Sequence, residues 1–310
     1  MKKIRLALLM GGFSNEREIS LKSGAEVQKA LNPERYEVST YDLKDSLPRL
    51  VADASQLDVA LIILHGRYGE DGTVQGLLEL LGIPYQGSGV SGSALAMNKR
   101  LTKALYRLEG LPVPRDRFVR QGEGFSLEAV AEELGWPIVV KPNNEGSSIG
   151  IRMAKDSKEL SEYLTQAYAL DKEVMLEEYI KGREITGGVL GNQFLQALPI
   201  VEIIPSEQYE FFDYEAKYKE KASQEICPAE LPESITRLAQ DYALRAHKSL
   251  GLRGYSRTDM IVRGEEIFLL ETNTIPGMTG TSLLPLAARA AGIDFSALLD
   301  RLIELAMEKR

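Results

Sequence analysis

Cysteine and histidine are nearly missing from this chain. A single cysteine, Cys227, stands beside Pro228, and 310 residues hold two histidines. No intrachain disulfide can form and no CxxC pair exists, so a disulfide framework is excluded and a zinc site lacks its usual ligands. Cys227 reads as an inert structural thiol. Long apolar runs are missing too, and none approaches the ~18 residues that span a bilayer. The opening MKKIRLALLM starts like a secretion signal. Its apolar run is short, however, and ends in Gly11-Gly12 and the charged SNERE, so a buried first strand is the better reading. Excess positive charge is absent: 37 Lys and Arg face 45 Asp and Glu, a formal net charge of -8. That argues against a nucleic-acid backbone as partner. A cytoplasmic protein bound to neither nucleic acid nor membrane is expected.

What is present is ordinary for a soluble globular chain, with 44% hydrophobic and 26% charged residues. The length fits two or three packed modules rather than one core. Apolar runs of strand length at 4–10, 36–42 and 58–64 alternate with helical segments near 18–31 and 46–54, which predicts a doubly wound parallel sheet. Ligands bind such sheets at the carboxyl ends of the strands, here GGFSNERE (11–18) and HGRYGEDG (65–72). A second module begins with the helix after Gly92 and passes through the linker-like GLPVP (110–114). It continues with strands at 136–141, 149–154 and 173–180 around a helix at 157–169. From Gly182 a third module carries strands at 184–191, 194–201, 255–263 and 265–271, a helix at 234–250 and two final helices.

The Walker A pattern is absent. GSGVSG (87–92) matches GxGxxG, but the first strand lies some 80 residues earlier and the acidic candidate, Glu109, falls at a helix end. A helix-capping loop is the better reading than a dinucleotide site. The phosphate candidate is IVVKPNNEGSSIGI (138–151), where a strand ends in Lys141 and a Gly- and Ser-rich turn offers backbone N–H groups. The alternative there is an ordinary hairpin with a solvated lysine. Asp259, Glu271 and Asn273 supply only oxygen ligands, which suits Mg²⁺. Glu271 and Asn273 lie two apart and so share a strand face. The alternative is a solvated strand end. In TIPGMTGTSLLP (274–285), Ser282 opens a helix, either as a carboxylate site or as a plain N-cap. The same choice applies to Ser14. EFFDYEAKYKEK (210–221) packs four aromatics among charges, as in a lid over about 205–222 with Lys217 and Tyr218 at its centre, or an aromatic docking surface.

In this order, GGFSNEREIS, LHGRYGEDGTVQGLLELLGIPYQGSGV, MNKRLTK, VVKPNNEGSSIG, DYEAKY, SRTDM and LLETNTIPGMTGTSL resemble the D-alanine–D-alanine ligases of the ATP-grasp superfamily across essentially the whole chain. Three positions depart from the usual pattern: Tyr68 and Thr272 replace smaller residues, and Asn144 stands where a basic residue is common. The resemblance implies an α/β fold with a Rossmann-like N-terminal domain (1–95) and two ATP-grasp lobes (96–181 and 182–310). It implies ATP-dependent joining of two D-alanines through an acyl phosphate, for peptidoglycan synthesis. D-serine or D-lactate as second substrate, and a non-catalytic nucleotide-binding regulator, are the rival readings.

Residue roles follow from the same resemblance. Lys99 and Lys141 neutralise ATP phosphates under the turn that holds Ser147 and Ser148. Glu177, Glu178, Tyr179 and Ile180 form the adenine strand, Glu184 holds the ribose, and Lys217 reaches the transferred phosphoryl group. Asp259, Glu271 and Asn273 bind two Mg²⁺, with Mn²⁺ or an added monovalent cation also admitted. Glu16 takes the ammonium of the first D-alanine and joins Ser147 and Tyr218 across the domains. His65 lies near that substrate's carboxyl. Arg257 and the Gly277 N–H stabilise the oxyanion, and Ser282 with the Leu283 N–H holds the second carboxylate. A homodimer is implied as well.

Overall fold

A computed structural model of the chain describes residues 2–146, 149–206 and 223–308. The first apolar runs become a parallel sheet. β1 (Ile4–Met10) lies between β2 (Tyr36–Asp42) and β3 (Val59–Ile62), with α1 (Arg17–Ala30) and α2 (Leu43–Asp53) as crossovers. Alternate residues of β1 enter two different cores: Leu6 and Leu8 join one, Ala7 and Leu9 the other. A strand buried on both faces needs apolar residues at every position, so it reads as a continuous run.

α3 (Thr73–Leu80), α4 (Val90–Met97) and α5 (Lys99–Leu108) lead to a second sheet. Gly89 is the residue before α4, so GSGVSG does open a helix there. The second sheet is antiparallel, in the order β4-β7-β5-β6. Its strands are β4 (Asp116–Arg120), β5 (Ile138–Pro142), β6 (Arg152–Ala154) and β7 (Glu173–Glu178). α6 (Leu127–Leu134) and α7 (Ser157–Tyr168) cover one face, around Val130, Ile138, Leu160 and Leu164. Asp156 caps α7 by accepting from the N–H groups of Lys158 and Glu159.

The third sheet runs β11-β10-β8-β12-β13, with β9 on β8. Its strands are β8 (Arg183–Gly191), β9 (Gln196–Ala197), β10 (Val201–Pro205), β11 (Ser223–Ile226), β12 (Gly254–Arg263) and β13 (Glu266–Asn273). The single strand expected at 194–201 is thus two short ones. Pro199 falls in the break, where it offers no N–H to a ladder. α8 (Glu233–Ser249) packs on this sheet through Ala239, Ala243 and Ala246.

Two long-range placements decide how the parts meet. α9 (Leu283–Ala290) and α10 (Phe295–Met307) return to the first sheet, where Leu298 and Leu302 share a core with Leu6, Leu8 and Leu61. α5 lies against the third sheet, with Tyr106 beside Met260 and Leu269. Among the described residues no helix is long and apolar enough to cross a membrane.

Candidate active site

The carboxyl ends of β1 and β3 form one wall. Gly11 and Gly12 both have positive φ, and a Cβ at Gly11 would lie 2.4 Å from Asp42 Oδ1. Only glycine lets the chain turn there, because other side chains rarely adopt this conformation and this one would collide. The turn delivers Glu16, 1% exposed, to the start of α1. Gly66, also at positive φ, lies so close that a Cβ on it would stand 2.9 Å from Glu16 Oε2. His65 is buried beside it, its Nδ1 4.0 Å from Glu70 Oε1. Burial works against the imidazolium, but Glu70 and then Glu16 outweigh it and raise the His65 pKa. His65 Nε2 is buried without a hydrogen-bond partner among the described residues, a polar atom that a ligand could satisfy.

A cleft lies between the second and third sheets. Val139, Ile151, Met153 and Leu270 make an apolar slot, and Lys141, Glu184, Asp259 and Glu271 bring charge to its end. A neighbouring chamber is lined by Glu70, Lys99, Glu145, Gly146, Glu271 and Asn273, so Glu271 faces both spaces. Lys99 Nζ donates to Glu145 O at 2.5 Å. Asn143 docks the start of α5, with its carbonyl accepting from Lys99 N and its Oδ1 from Arg100 N.

β13 owes its site face to a bulge. Asp259 pairs with Glu271 but Met260 pairs with Leu269, leaving Leu270 extra. Before the bulge Ile267 and Leu269 point into the core; after it Thr272 does. The slip of one residue turns Glu271 and Asn273 outward together, away from Thr272. Thr272 Oγ1 lies 2.5 Å from Tyr106 Oη and 2.7 Å from Thr258 Oγ1, a hydroxyl chain inside the core. On β12, Arg257 grips Asp259 with two donors, and Thr186 Oγ1 donates to Asp259 Oδ1 at 2.6 Å. Asn273 Nδ2 donates to Asp259 Oδ2 at 3.2 Å.

Gly277 and Ser282 meet beyond β13, where a Cβ on Gly277 would lie 3.1 Å from Ser282 Oγ. Ser282 stands at the N-cap of α9, but its side chain makes no capping bond; its Oγ accepts from Thr279 N instead. The Ser14 side chain accepts from Glu16 N, while its carbonyl accepts from Arg17 N at the start of α1.

An apolar slot ending in lysine and oxygen donors, beside a wall with a buried carboxylate and imidazole, matches a site for a nucleotide and a zwitterion. The D-ala D-ala ligase C-terminus family model matches residues 105–304, and the N-terminus model matches residues 44–88. The chain belongs to the D-alanine–D-alanine ligase family. It is 60% identical to the D-alanine–D-alanine ligase of Syntrophobacter fumaroxidans over 99% of both chains. The solved D-alanine–D-alanine ligase of Bacillus anthracis complexed with ATP superposes with a TM-score of 0.86 at 37% identity, covering 98% of this chain and 97% of that one. The VanG D-Ala:D-Ser ligase of Enterococcus faecalis gives 0.84 at 30% identity, covering 98% and 100%. As a member of this family the chain is a ligase with the ATP-grasp fold.

The structure gathers most of the expected site residues of this ligase. Glu16 and His65 share the first wall. Lys141, Glu177, Glu178, Tyr179, Ile180, Glu184, Asp259 and Glu271 line one cleft, and Lys99 joins Glu271 and Asn273 in the adjoining chamber. Gly277, Ser282 and Leu283 cluster at the start of α9. Ser147, Ser148, Lys217 and Tyr218 lie outside the described residues, as does nearly all of the expected lid. The Glu178 carboxylate is turned to Arg115 at 2.7 Å. Glu177 is buried between two lysines, Lys103 and Lys141. Lys103, Glu70 and Asn143 join the site without a role assigned from sequence; each lies inside a motif, MNKRLTK, HGRYGEDG and VVKPNNEGSSIG, which is the available signal.

The three departures also find their places. Tyr68 takes a positive φ of 69° and stacks edge-on with Phe13. Asn144 bridges Asn98 and Asp171. Thr272 carries the hydroxyl chain described above.

Proposed function

We propose that this ligase joins two D-alanines into D-alanyl-D-alanine, driven by ATP, in the cytoplasm and as a homodimer, in three domains spanning 1–95, 96–181 and 182–310. The observation that carries the reading is the position of Glu271, which faces both the apolar slot with Lys141 and the chamber with Lys99 and Asn273. A nucleotide with its base in the slot reaches both lysines with its phosphates. Residues 177–180 edge the base, and Glu184 accepts from the ribose hydroxyls. Ser147, Ser148 and Lys217 complete the phosphate contacts.

Asp259, Glu271 and Asn273 offer hard oxygen donors, which fit Mg²⁺. Among the described residues no three His, Cys, Asp or Glu stand ready as a metal cluster, so a site completed by phosphate oxygens is the fitting one. Bound there, Mg²⁺ neutralises phosphate charge. Asp259 shares its oxygens with Arg257, so a metal there competes with the guanidinium.

Glu16 holds the ammonium of the first D-alanine, with Ser147 and Tyr218 completing its hydrogen bonds, and His65 faces the carboxyl. Phosphoryl transfer to that carboxylate comes first, because a free carboxylate is a poor electrophile. The second D-alanine, its carboxylate held by Ser282 and the Leu283 N–H, loses an ammonium proton to solvent, and the free amine then attacks the acyl carbon. Arg257 and the Gly277 N–H stabilise the tetrahedral oxyanion until phosphate leaves. Purified protein given ATP, Mg²⁺ and equal D-alanine, D-serine and D-lactate is expected to yield ADP and mainly D-alanyl-D-alanine by mass. A majority of D-alanyl-D-serine or of the D-lactate ester overturns the choice of acceptor. No ADP overturns the ligase reading.

A further inference from the structure

α5 is amphipathic in the wrong sense. Its inward stripe is Lys99, Thr102, Lys103 and Tyr106, at helical spacings of three and four, while Leu101 and Leu108 are 46% and 81% exposed. Burying a lysine costs free energy unless it is matched by charge and hydrogen bonds. Lys99 is placed in the chamber with Glu271. Lys103, one turn on, is fully enclosed and lines neither space.

Lys103 Nζ lies 2.6 Å from Glu177 Oε1 and donates to Leu269 O at 3.0 Å. The other Glu177 oxygen accepts from Lys141 Nζ, and of these two lysines only Lys141 lines the cleft. Burial alone would push the Glu177 carboxyl up. Lys103 first and Lys141 second outweigh that and hold it at about 2, so it is ionised at neutral pH. Burial also pushes the Lys103 ammonium down, against the pull of Glu177. Behind Lys103, Asp116 is tied to Arg107. In front, Glu184 and Glu271 act on Lys141 from the cleft side.

The charge count decides what Lys103 does. Lys141 and Glu177 alone form a neutral pair, which presents a phosphate with little net field. One carboxylate between two ammoniums leaves one positive charge, and the only cation of the cluster that lines the cleft is Lys141.

We propose that Lys103 is a positioning residue for the nucleotide phosphates: it neutralises Glu177 from behind, so that Lys141 keeps its orientation and its charge, which Glu184 and Glu271 face across the cleft, is not cancelled by Glu177 as well. This rests on the cleft being the ATP site. Lysine at this position therefore serves the reaction without touching substrate.

The test is calorimetric titration of the full chain with Mg²⁺ and either a non-hydrolysable ATP analogue or adenosine. Lys103→Met should weaken the analogue about tenfold or more while leaving adenosine within about twofold, because only the phosphates feel the lost charge. Adding Glu177→Gln to Lys103→Met restores the charge count and should recover most of the analogue affinity relative to adenosine. Lys103→Arg keeps the charge and should stay near the starting affinity. Equal weakening of analogue and adenosine, or no recovery in the double variant, overturns the proposal in favour of a packing role. Should Lys103→Met not fold by circular dichroism, Lys103→Gln, which keeps a donor for Leu269 O, takes its place with the same expectations. An unsubstituted chain that fails to bind the analogue refutes the ATP reading itself, a result distinct from normal binding that Lys103→Met leaves unchanged.

Discussion

Arg257 and Asp259, two apart on β12, close a two-point fork: Nε reaches Oδ1 at 2.9 Å and Nη2 reaches Oδ2 at 2.8 Å. The planar guanidinium is held flat by this fork. Lysine cannot reproduce this, because it carries a point charge on a flexible stem. Arg257→Lys is expected to lower kcat about 10²–10³-fold, the scale of losing one oxyanion donor, with little change in melting temperature. Steady-state kinetics with D-alanine checks it, and an unchanged kcat removes Arg257 from the oxyanion site.

Gly66→Ala tests the first wall. Its φ of +67° and the 2.9 Å approach to Glu16 Oε2 leave no room for a methyl group. The Glu16 carboxylate must shift by a substantial fraction of an ångström. The KM of the first D-alanine should rise about tenfold or more, given how steeply positioning controls rate. Binding of the ATP analogue should hold. A parallel loss of analogue binding would mean that the 65–70 turn supports the whole fold rather than Glu16.

His247 sets a pH dependence of stability that has nothing to do with catalysis. It is fully buried, its Nδ1 2.7 Å from Ser256 Oγ, and burial holds its pKa down to about 4. Between that value and the ordinary 6.5 the unfolded chain binds the extra proton and the folded chain does not, so stability rises with pH across this window. On acidification from pH 6.5 to about 4 this one group removes about 3 kcal/mol. His247→Asn, which keeps a polar atom near Nδ1 but cannot titrate, should flatten the fall in thermal midpoint over that range. Glu177 acts separately: its depressed carboxyl is a loss confined to pH values below about 4.5. An identical acid limb in His247→Asn would refute the assignment.

Thr272→Val should destabilise the fold by about 1–3 kcal/mol, because the buried Tyr106 Oη loses its partner. Tyr106→Phe added to Thr272→Val should recover part of the loss, since only the Thr258 hydroxyl is then left without its partner. Chemical denaturation of the single and double variants measures the coupling. Strict additivity would show that the hydroxyl chain is not a unit.

The site strands were legible in sequence where they depended on local order. Runs of apolar residues mark β1 and β3 because both faces of that sheet are covered, and glycines mark turns that no other residue can make. The spacing of Glu271 and Asn273 put them on one face correctly. It did not say which face, since the bulge at Leu270 sets that, and a bulge is a property of the pairing with β12. Lys103 closes the MNKRLTK motif, but its burial is hidden for a similar reason. Reading α5 by hydrophobicity turns Leu101 and Leu108 inward, whereas the helix turns its lysines inward.

The parallel first sheet, most of the alternation of elements and the residue types at the site follow from the sequence by itself, because periodicity, turn chemistry and motif spacing act over a few residues. Tertiary structure alone decided that α9 and α10 cover the first sheet and that Glu177 carries two lysines. Each depends on groups far apart in the chain meeting in a low-dielectric interior. There an unmatched charge is costly enough to choose its partner, and nothing in local order encodes that choice.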